Sequence, residues 1–190
     1  PFIGTSLTTV NIGDSVQRIP AYFVSGCSGL TSVTIPNSVT SIGEGAFRDC
    51  SGLTSITVPN SVTSIRCDAF RDCSSLTTLN FNAIDCQYFE ALIDDDNYYF
   101  PFSGTSLTTV KIGDSVQRIP ANFVPYCSGL TSVTIPNSVT SIGVRAFYDC
   151  SGLTSVTIPN SVTSIEDYAF YGCRGLTSVT IPNSVTSIGK

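Results

Sequence analysis

Apolar residues recur along this chain in a fixed frame: a Leu, an alternating Val/Ile pair, a second Val and Ile, then Ala-Phe and finally Cys. The stretch LTSVTIPNSVTSIGEGAFRDCSG, residues 30–52, displays the frame in full. It returns at Leu53, Leu130, Leu153 and Leu176, with looser copies at Leu7, Leu76 and Leu107. The spacing is 23 residues from Leu7 to Leu76, 31 from Leu76 to Leu107, and 23 again to Leu176. In the coil at Leu30, the apolar Leu30, Val33 and Ile35 are interleaved with Thr31, Ser32 and Thr34. Alternation with period two predicts a half-buried strand. Pro36 has no N–H for a ladder and ends it, and Asn37 and Ser38 suit a turn. Val39 and Ile42 then point inward, and Ala46, Phe47 and Cys50 predict a short helical or 3₁₀ segment. One coil cannot bury its own apolar edges. Stacked coils can, so the repeat predicts a single solenoid over residues 1–190, with a parallel sheet on one face and columns of Leu, Ile, Phe and Cys inside.

A longer period overlies the short one: residues 1–66 match 101–166 at most positions. The extra length of the 31-residue coil falls within residues 83–102. There Asp85 is expected to cap a short helix carrying Phe89, Leu92 and Ile93 on one face. Asp94, Asp95, Asp96 and Asn97 are expected to form a turn, giving a small bump on the solenoid's edge. In the coils at Leu7 and Leu107, Phe23-Val24 and Phe123-Val124 replace Ala-Phe, so packing must shift there. Both ends fall mid-coil with no polar capping repeat, which predicts a piece of a longer array with ends open to end-to-end association.

The motifs LTSVTIPNSVTSI and AFxxCSGL, recurring over nearly the whole chain, resemble the 23-residue leucine-rich repeat of the BspA-like (bacterial surface-protein-A) type. The resemblance implies a right-handed superhelix with a parallel sheet on one face and short strands, turns and 3₁₀ segments on the other. The family is similar to surface adhesins of anaerobic bacteria and some protists that bind host matrix proteins. It therefore implies an extracellular or cell-surface location.

Composition narrows the chemistry. The 190 residues are 42% hydrophobic and only 12% charged, with a net charge of −5 and a pI near 4.4. No basic stripe is present to neutralise the phosphates of nucleic acid or to meet an anionic membrane. No apolar run reaches the roughly 18 residues that span a bilayer. His and Trp are absent, which removes the commonest general base and neutral metal ligand. With no nucleophile–base pairing in view, the expectation is a binding protein rather than an enzyme, with no cofactor. Two other roles fit the same frame: a spacer that projects another domain, and a surface binder that docks ice on regular Thr rows.

The candidate site residues fall into five groups. Cys27, Cys50, Cys73, Cys127, Cys150 and Cys173 each precede a repeat Leu by three residues and are expected to be buried thiols. Cys67 and Cys86 lie outside that ladder in adjacent coils, and are compatible with one disulfide pinning the insertion. The run Asp94-Asp95-Asp96 reads as a solvated turn; its alternative is a Ca²⁺ site, without the Gly punctuation of known Ca²⁺ loops. The hydroxyl rows, exemplified by Thr31, Ser32, Thr34, Thr131, Ser132 and Thr134, offer a flat face for an extended protein or glycan. The coils differ from one another at Glu44, Asp68, Arg145 and Tyr168, and at Arg48, Arg71, Tyr148 and Tyr171, with Tyr22 and Tyr126 in the same region. Tyr and Arg are enriched at interfaces, so this edge is the candidate for discriminating a protein or glycan partner.

Overall fold

The computed structural model describes residues 2–94 and 97–190. The chain winds as a β-solenoid in which each coil lies on the last. One ladder runs through the first strand of the coils: Ser55–Val58 pairs with Thr78–Phe81, and that strand with Thr109–Ile112, all parallel. Further on, Ser132–Thr134 pairs with Ser155–Thr157, Val133 opposite Val156. A register equal to the repeat length sets each residue against its counterpart, so apolar side chains stack on apolar ones. A second ladder joins two-residue strands after the turn: Arg18–Ile19, Ser41–Ile42 and Ser64–Ile65 in one half, Arg118–Ile119, Ser141–Ile142, Ser164–Ile165 and Ser187–Ile188 in the other. Between the ladders, Pro36 ends the strand, and the Val39 amide closes a turn on its carbonyl at 3.0 Å.

The third side departs from expectation. Among the described residues there is no helix, and no 3₁₀ segment forms around Ala46–Cys50. The hydrogen bonds explain why. Ala46 and Arg48 donate back to Gly43 and Gly45 within the coil, at 3.2 and 3.1 Å. The alternating amides of Phe47 and Asp49 instead donate to Ala69 and Arg71 of the next coil, both at 2.8 Å. A helix needs consecutive local bonds, and here every second donor is spent on the neighbour. Positive φ at Gly45 (54°) and Asp49 (58°) also breaks any helical run.

The core is a set of columns. The rings of Phe47, Phe70 and Phe102 stack face to face, with centroids 5.2 and 5.0 Å apart and planes within 5°. Phe147 and Phe170 repeat this at 5.3 Å. Where Phe occupies the Ala position the packing shifts, as the sequence predicted: Phe23 and Phe123 meet Phe47 and Phe147 edge-on, at 86° and 90°. Leu30, Leu53, Leu76, Leu107, Leu130 and Leu153 are fully buried. Each such side chain contributes roughly 1.5–3 kcal/mol through removal from water.

The helix expected after Asp85 is likewise absent. Leu92–Asp94 and Asn97–Tyr99 pair as an antiparallel hairpin, with Leu92 opposite Tyr99. The aromatic Tyr98 and Tyr99 favour an extended backbone, and the coil's own ladder claims Phe89, which bridges Ile65. The hairpin accounts for the length surplus: Leu92–Tyr99 is eight residues, and 31 − 23 = 8. The flanking residues rebuild an ordinary coil, in which Phe102 joins the Phe column and Pro101 accepts the Phe70 amide at 2.8 Å. The bridge does slip by a residue, however. Phe89 faces Ile65 whereas Tyr88 faces Ala121, and the second ladder is divided there into two sheets.

Candidate functional site

The turns of the third side set up the site. Two positions per coil take positive φ, except in the coil at Leu76, where among the described residues Gly104 alone does; this conformation costs most side chains about 1–2 kcal/mol, and Gly, Asn and Asp tolerate it best. Asp49, Asp72, Asn122 and Asp149 fit that rule, but Tyr22, Tyr126, Arg145 and Tyr168, with φ of 52–61°, do not. Three of these four lie together. At the base of Arg145, Gly143 brings two coils close: a Cβ there would stand 2.5 Å from the Ala121 nitrogen and 2.8 Å from the Ile119 oxygen.

Above this base the aromatic residues form a continuous ledge. Tyr126 meets Tyr148 at 5.5 Å, and Tyr148 stacks on Tyr171 at 5.0 Å with planes 15° apart. Tyr168 abuts Tyr171 edge-on at 5.9 Å. The hairpin extends the row. Phe100 lies 5.9 Å from Tyr126, and Tyr98 stacks on Phe100 at 5.8 Å. The Arg145 guanidinium sits between two rings, 5.9 Å from the centroid of Tyr98 and 5.6 Å from that of Tyr168. Tyr98, Tyr126 and Tyr171 are exposed, Tyr148 and Tyr168 half-buried. Partial burial, then the neighbouring Tyr148 and Asp149, raise the Tyr126 phenol; partial burial and Asp149 do the same for Tyr148. Both remain hydrogen-bond donors at neutral pH.

Of the predicted edge residues, the structure thus brings Tyr126, Tyr148, Tyr168 and Tyr171 together. It places Arg48 and Arg71 in a different group. Their guanidinium groups converge on the buried Asp68 carboxylate at 3.5 and 3.4 Å, and they also pair with Asp49 and Asp72 at 3.4 and 3.2 Å. Burial raises the Asp68 carboxyl and the two arginines pull it back, while its Oδ1 has no partner. The hairpin separates the two groups. Successive strand residues point to opposite faces, so Tyr98 turns to Arg145 and Tyr99 to Arg71, whose guanidinium carbon is 4.8 Å from the ring. The reading of the edge included Arg145 and missed Tyr98 and Phe100; the aromatic run NYYFPF was the available signal.

The hydroxyl rows are exposed at Thr31, Ser32, Thr34, Thr131, Ser132 and Thr134. Part of the lattice is spent on the protein itself. The Thr77, Thr108 and Thr154 hydroxyls donate to the carbonyls of Thr54, Thr77 and Thr131 in the preceding coil, at 3.0–3.5 Å. Ser38, Ser61 and Ser138 staple neighbouring coils in the same way at 2.6–2.7 Å. Asn80 and Lys111 stand in the Thr34 row, opposite each other in the ladder. A shallow groove of about 690 Å³ crosses this side between Thr134–Asn137 and Thr157–Asn160. In the last coil, the exposed Val179, Ile181 and Ile188 line an apolar groove with Phe170.

The ladder cysteines are buried thiols. Cys50, Cys73, Cys150 and Cys173 lie 3.0–3.2 Å from the carbonyls of Val24, Phe47, Val124 and Phe147, each donating its S–H to the coil before. Burial pushes the thiols of Cys50 and Cys127 up to about 12 and that of Cys173 up to about 11. The expected Cys67–Cys86 disulfide is not formed; both residues are free and buried. The register gives the reason. Phe89 faces Ile65, so Cys86 lies three residues to one side of that bridge and Cys67 two residues to the other. Cys86 belongs to the main core, and Cys67 is packed outside it. The Ca²⁺ alternative at Asp94, Asp95 and Asp96 rests on residues and side chains outside those described. Among the described residues, no cluster of His, Cys, Asp and Glu has the makings of a metal site, and no helix is long and apolar enough to cross a membrane.

Comparison with known proteins agrees with this architecture. A family model described as the BspA-type leucine-rich repeat region matches residues 1–93 and 96–190, in six copies. Among solved structures, the chain is similar to a leucine-rich repeat protein of Eubacterium ventriosum, with 28% identity and a TM-score of 0.56 over 95% of this chain and 40% of that one. It is similar to the T. pallidum leucine-rich repeat protein, with 31% identity and a TM-score of 0.55 over 92% and 67%. A leucine-rich repeat protein of Bacteroides ovatus shares 25% identity with a TM-score of 0.52, over 95% and 56%. This chain therefore spans less than two thirds of the first and third of these proteins. Comparison with curated proteins finds no match.

Proposed function

The chain belongs to the BspA-type leucine-rich repeat family, and on that footing we propose that it is a non-catalytic binding module, secreted or displayed at a cell surface. Its partner is a protein or glycan of another cell or of a host matrix, held on the ledge around Tyr126, Tyr148 and Tyr171. The single observation carrying this reading is where the chain tolerates strain. Tyr126, Arg145 and Tyr168 hold backbone angles that suit Gly or Asn, and all three project into one aromatic row. Strained residues persist where the surrounding structure over-determines them, and they cluster at functional sites. Exposed Tyr beside Arg is also the composition of binding hot spots. The surface location is carried over from the family.

The test is capture of matrix proteins and surface glycans on immobilised chain. The Tyr148→Ser/Tyr171→Ser double variant is expected to lose capture while melting like the parent. Unchanged capture by a folded double variant would remove the ledge as the binding face. A second reading, a rigid spacer, is favoured by the hydroxyl staples of Ser38, Ser61, Ser138 and Thr154, which tie neighbouring coils together. It predicts no capture by either form.

A further inference from the structure

Three features of the ledge constrain what it can hold. The first is its step. Ring centroids stand 5.5 Å apart from Tyr126 to Tyr148 and 5.0 Å apart from Tyr148 to Tyr171, one ring per coil, on coils whose paired strands are about 4.8 Å apart. An extended peptide presents same-face side chains every two residues, roughly 6.5–7 Å apart, and so falls out of step within a coil or two. A fully extended β-1,4-linked pyranose chain advances one sugar ring for each coil. The second feature is unspent hydrogen bonding. Tyr22 donates its hydroxyl to Glu44, whereas the hydroxyls of Tyr98, Tyr126, Tyr148, Tyr168 and Tyr171 have no partner among the described residues. A phenol both donates and accepts, as sugar hydroxyls require of a partner. The third is Arg145. Among the described residues Arg48, Arg66 and Arg71 pair with carboxylates while Arg18, Arg118, Arg145 and Arg174 do not, and of these four only Arg145 is flanked by aromatic rings, those of Tyr98 and Tyr168. A guanidinium flanked by aromatic rings, with no carboxylate on it among the described residues, is suited to bind a carboxylate through two parallel hydrogen bonds.

Resting on the reading of the ledge as the binding face, we infer that its ligand is a linear acidic polysaccharide lying along the solenoid axis, one β-linked pyranose per coil, with a uronate carboxylate on Arg145. The chain's net charge of −5 repels a polyanion at long range. That repulsion is screened within about 8 Å at physiological ionic strength, so the contact at Arg145 decides.

The experiment is calorimetric titration of the whole chain with three probes: β-1,4-linked oligomannuronate, the neutral manno-oligosaccharide of the same linkage and length, and a poly-glutamate peptide. The oligomannuronate is expected to bind at least about ten-fold more tightly than the neutral chain, the margin of a lost charge-assisted hydrogen bond. Arg145→Gln is expected to abolish the preference, bringing the acidic probe down to the level of the neutral one. Equal binding of acidic and neutral chains, no effect of Arg145→Gln, or tighter binding of poly-glutamate would each overturn the inference. If no glycan binds but Tyr148→Ser/Tyr171→Ser still abolishes capture of a protein, the polysaccharide is wrong and the ledge stands. If the double variant changes nothing, both are wrong.

Discussion

Arg145 shows how much is decided by one backbone angle. Its φ of 53° is one that the equivalent Gly45 adopts freely, so a side chain is kept there at a standing cost. Arg145→Gly is expected to raise stability by about 1 kcal/mol in denaturant unfolding, by relieving that strain. The same variant is expected to lose the ledge's affinity. An unchanged or lowered midpoint would mean that Arg145 is not strained and that its place on the ledge says nothing of function. At this scale the sequence was partly legible. The inward Leu, Val, Ile and Phe were readable because burial imposes a period. Positive φ at Tyr22, Tyr126 and Tyr168 was not, because their residue types argue against it. Nor was the diversion of Arg48 and Arg71 to Asp68, since ion pairing across coils depends on where side chains point within a turn.

At the scale of elements, the strands and the turns after Pro were read correctly, and both expected helical pieces were wrong for one reason. Ala46–Cys50 and residues 85–93 have a helix-like spacing of apolar residues, but stacking offers their amides a partner in the next coil. Ladder bonds to a pre-aligned neighbour outcompete local helical bonds in segments this short. The insertion also proved less of an outgrowth than its length suggested, since Phe89 and Phe102 belong to the core and Leu92–Asp94 folds back on Asn97–Tyr99. Its ends are paired neighbours, so deleting residues 92–99 and joining Ala91 to Phe100 restores a 23-residue coil. Loop-closure entropy changes little with such lengths, about 1 kcal/mol or less. The deletion is expected to fold, with a melting temperature within a few degrees of the parent, and to weaken ligand binding through loss of Tyr98. Failure to fold would show that the hairpin holds the two halves together.

At the scale of the whole molecule, the repeat itself was the most legible feature, because a period of 23 that keeps Leu over Leu permits few alternatives to stacking. The edge proposed for binding was readable only as variation between coils, and its geometry required the hairpin that sequence misjudged. The buried thiols couple this interior to pH. Their ordinary value is 9.0, and burial raises Cys50, Cys86 and Cys127 to about 12. A raised value in the fold means that the folded chain holds protons that the unfolded chain releases. The associated stability is complete below about pH 9 and is lost as pH rises toward 12. Denaturant midpoints are expected to be flat with respect to these groups up to about pH 9 and to fall above it. Replacing Cys50 and Cys127 with Ala is expected to flatten that fall.

Continuous inner columns of Phe, Leu and Cys are tested most directly by counting reactive thiols with a chromogenic disulfide reagent, first in native buffer and then in strong denaturant. The expected result is negligible reaction of the native chain and eight thiols once it unfolds, since all eight cysteines are free and buried. Rapid native reaction of Cys50, Cys73 or Cys150, identified by peptide mapping, would place the ladder in water and contradict the stacked core. A count of six in denaturant would restore the Cys67–Cys86 bond that the register forbids.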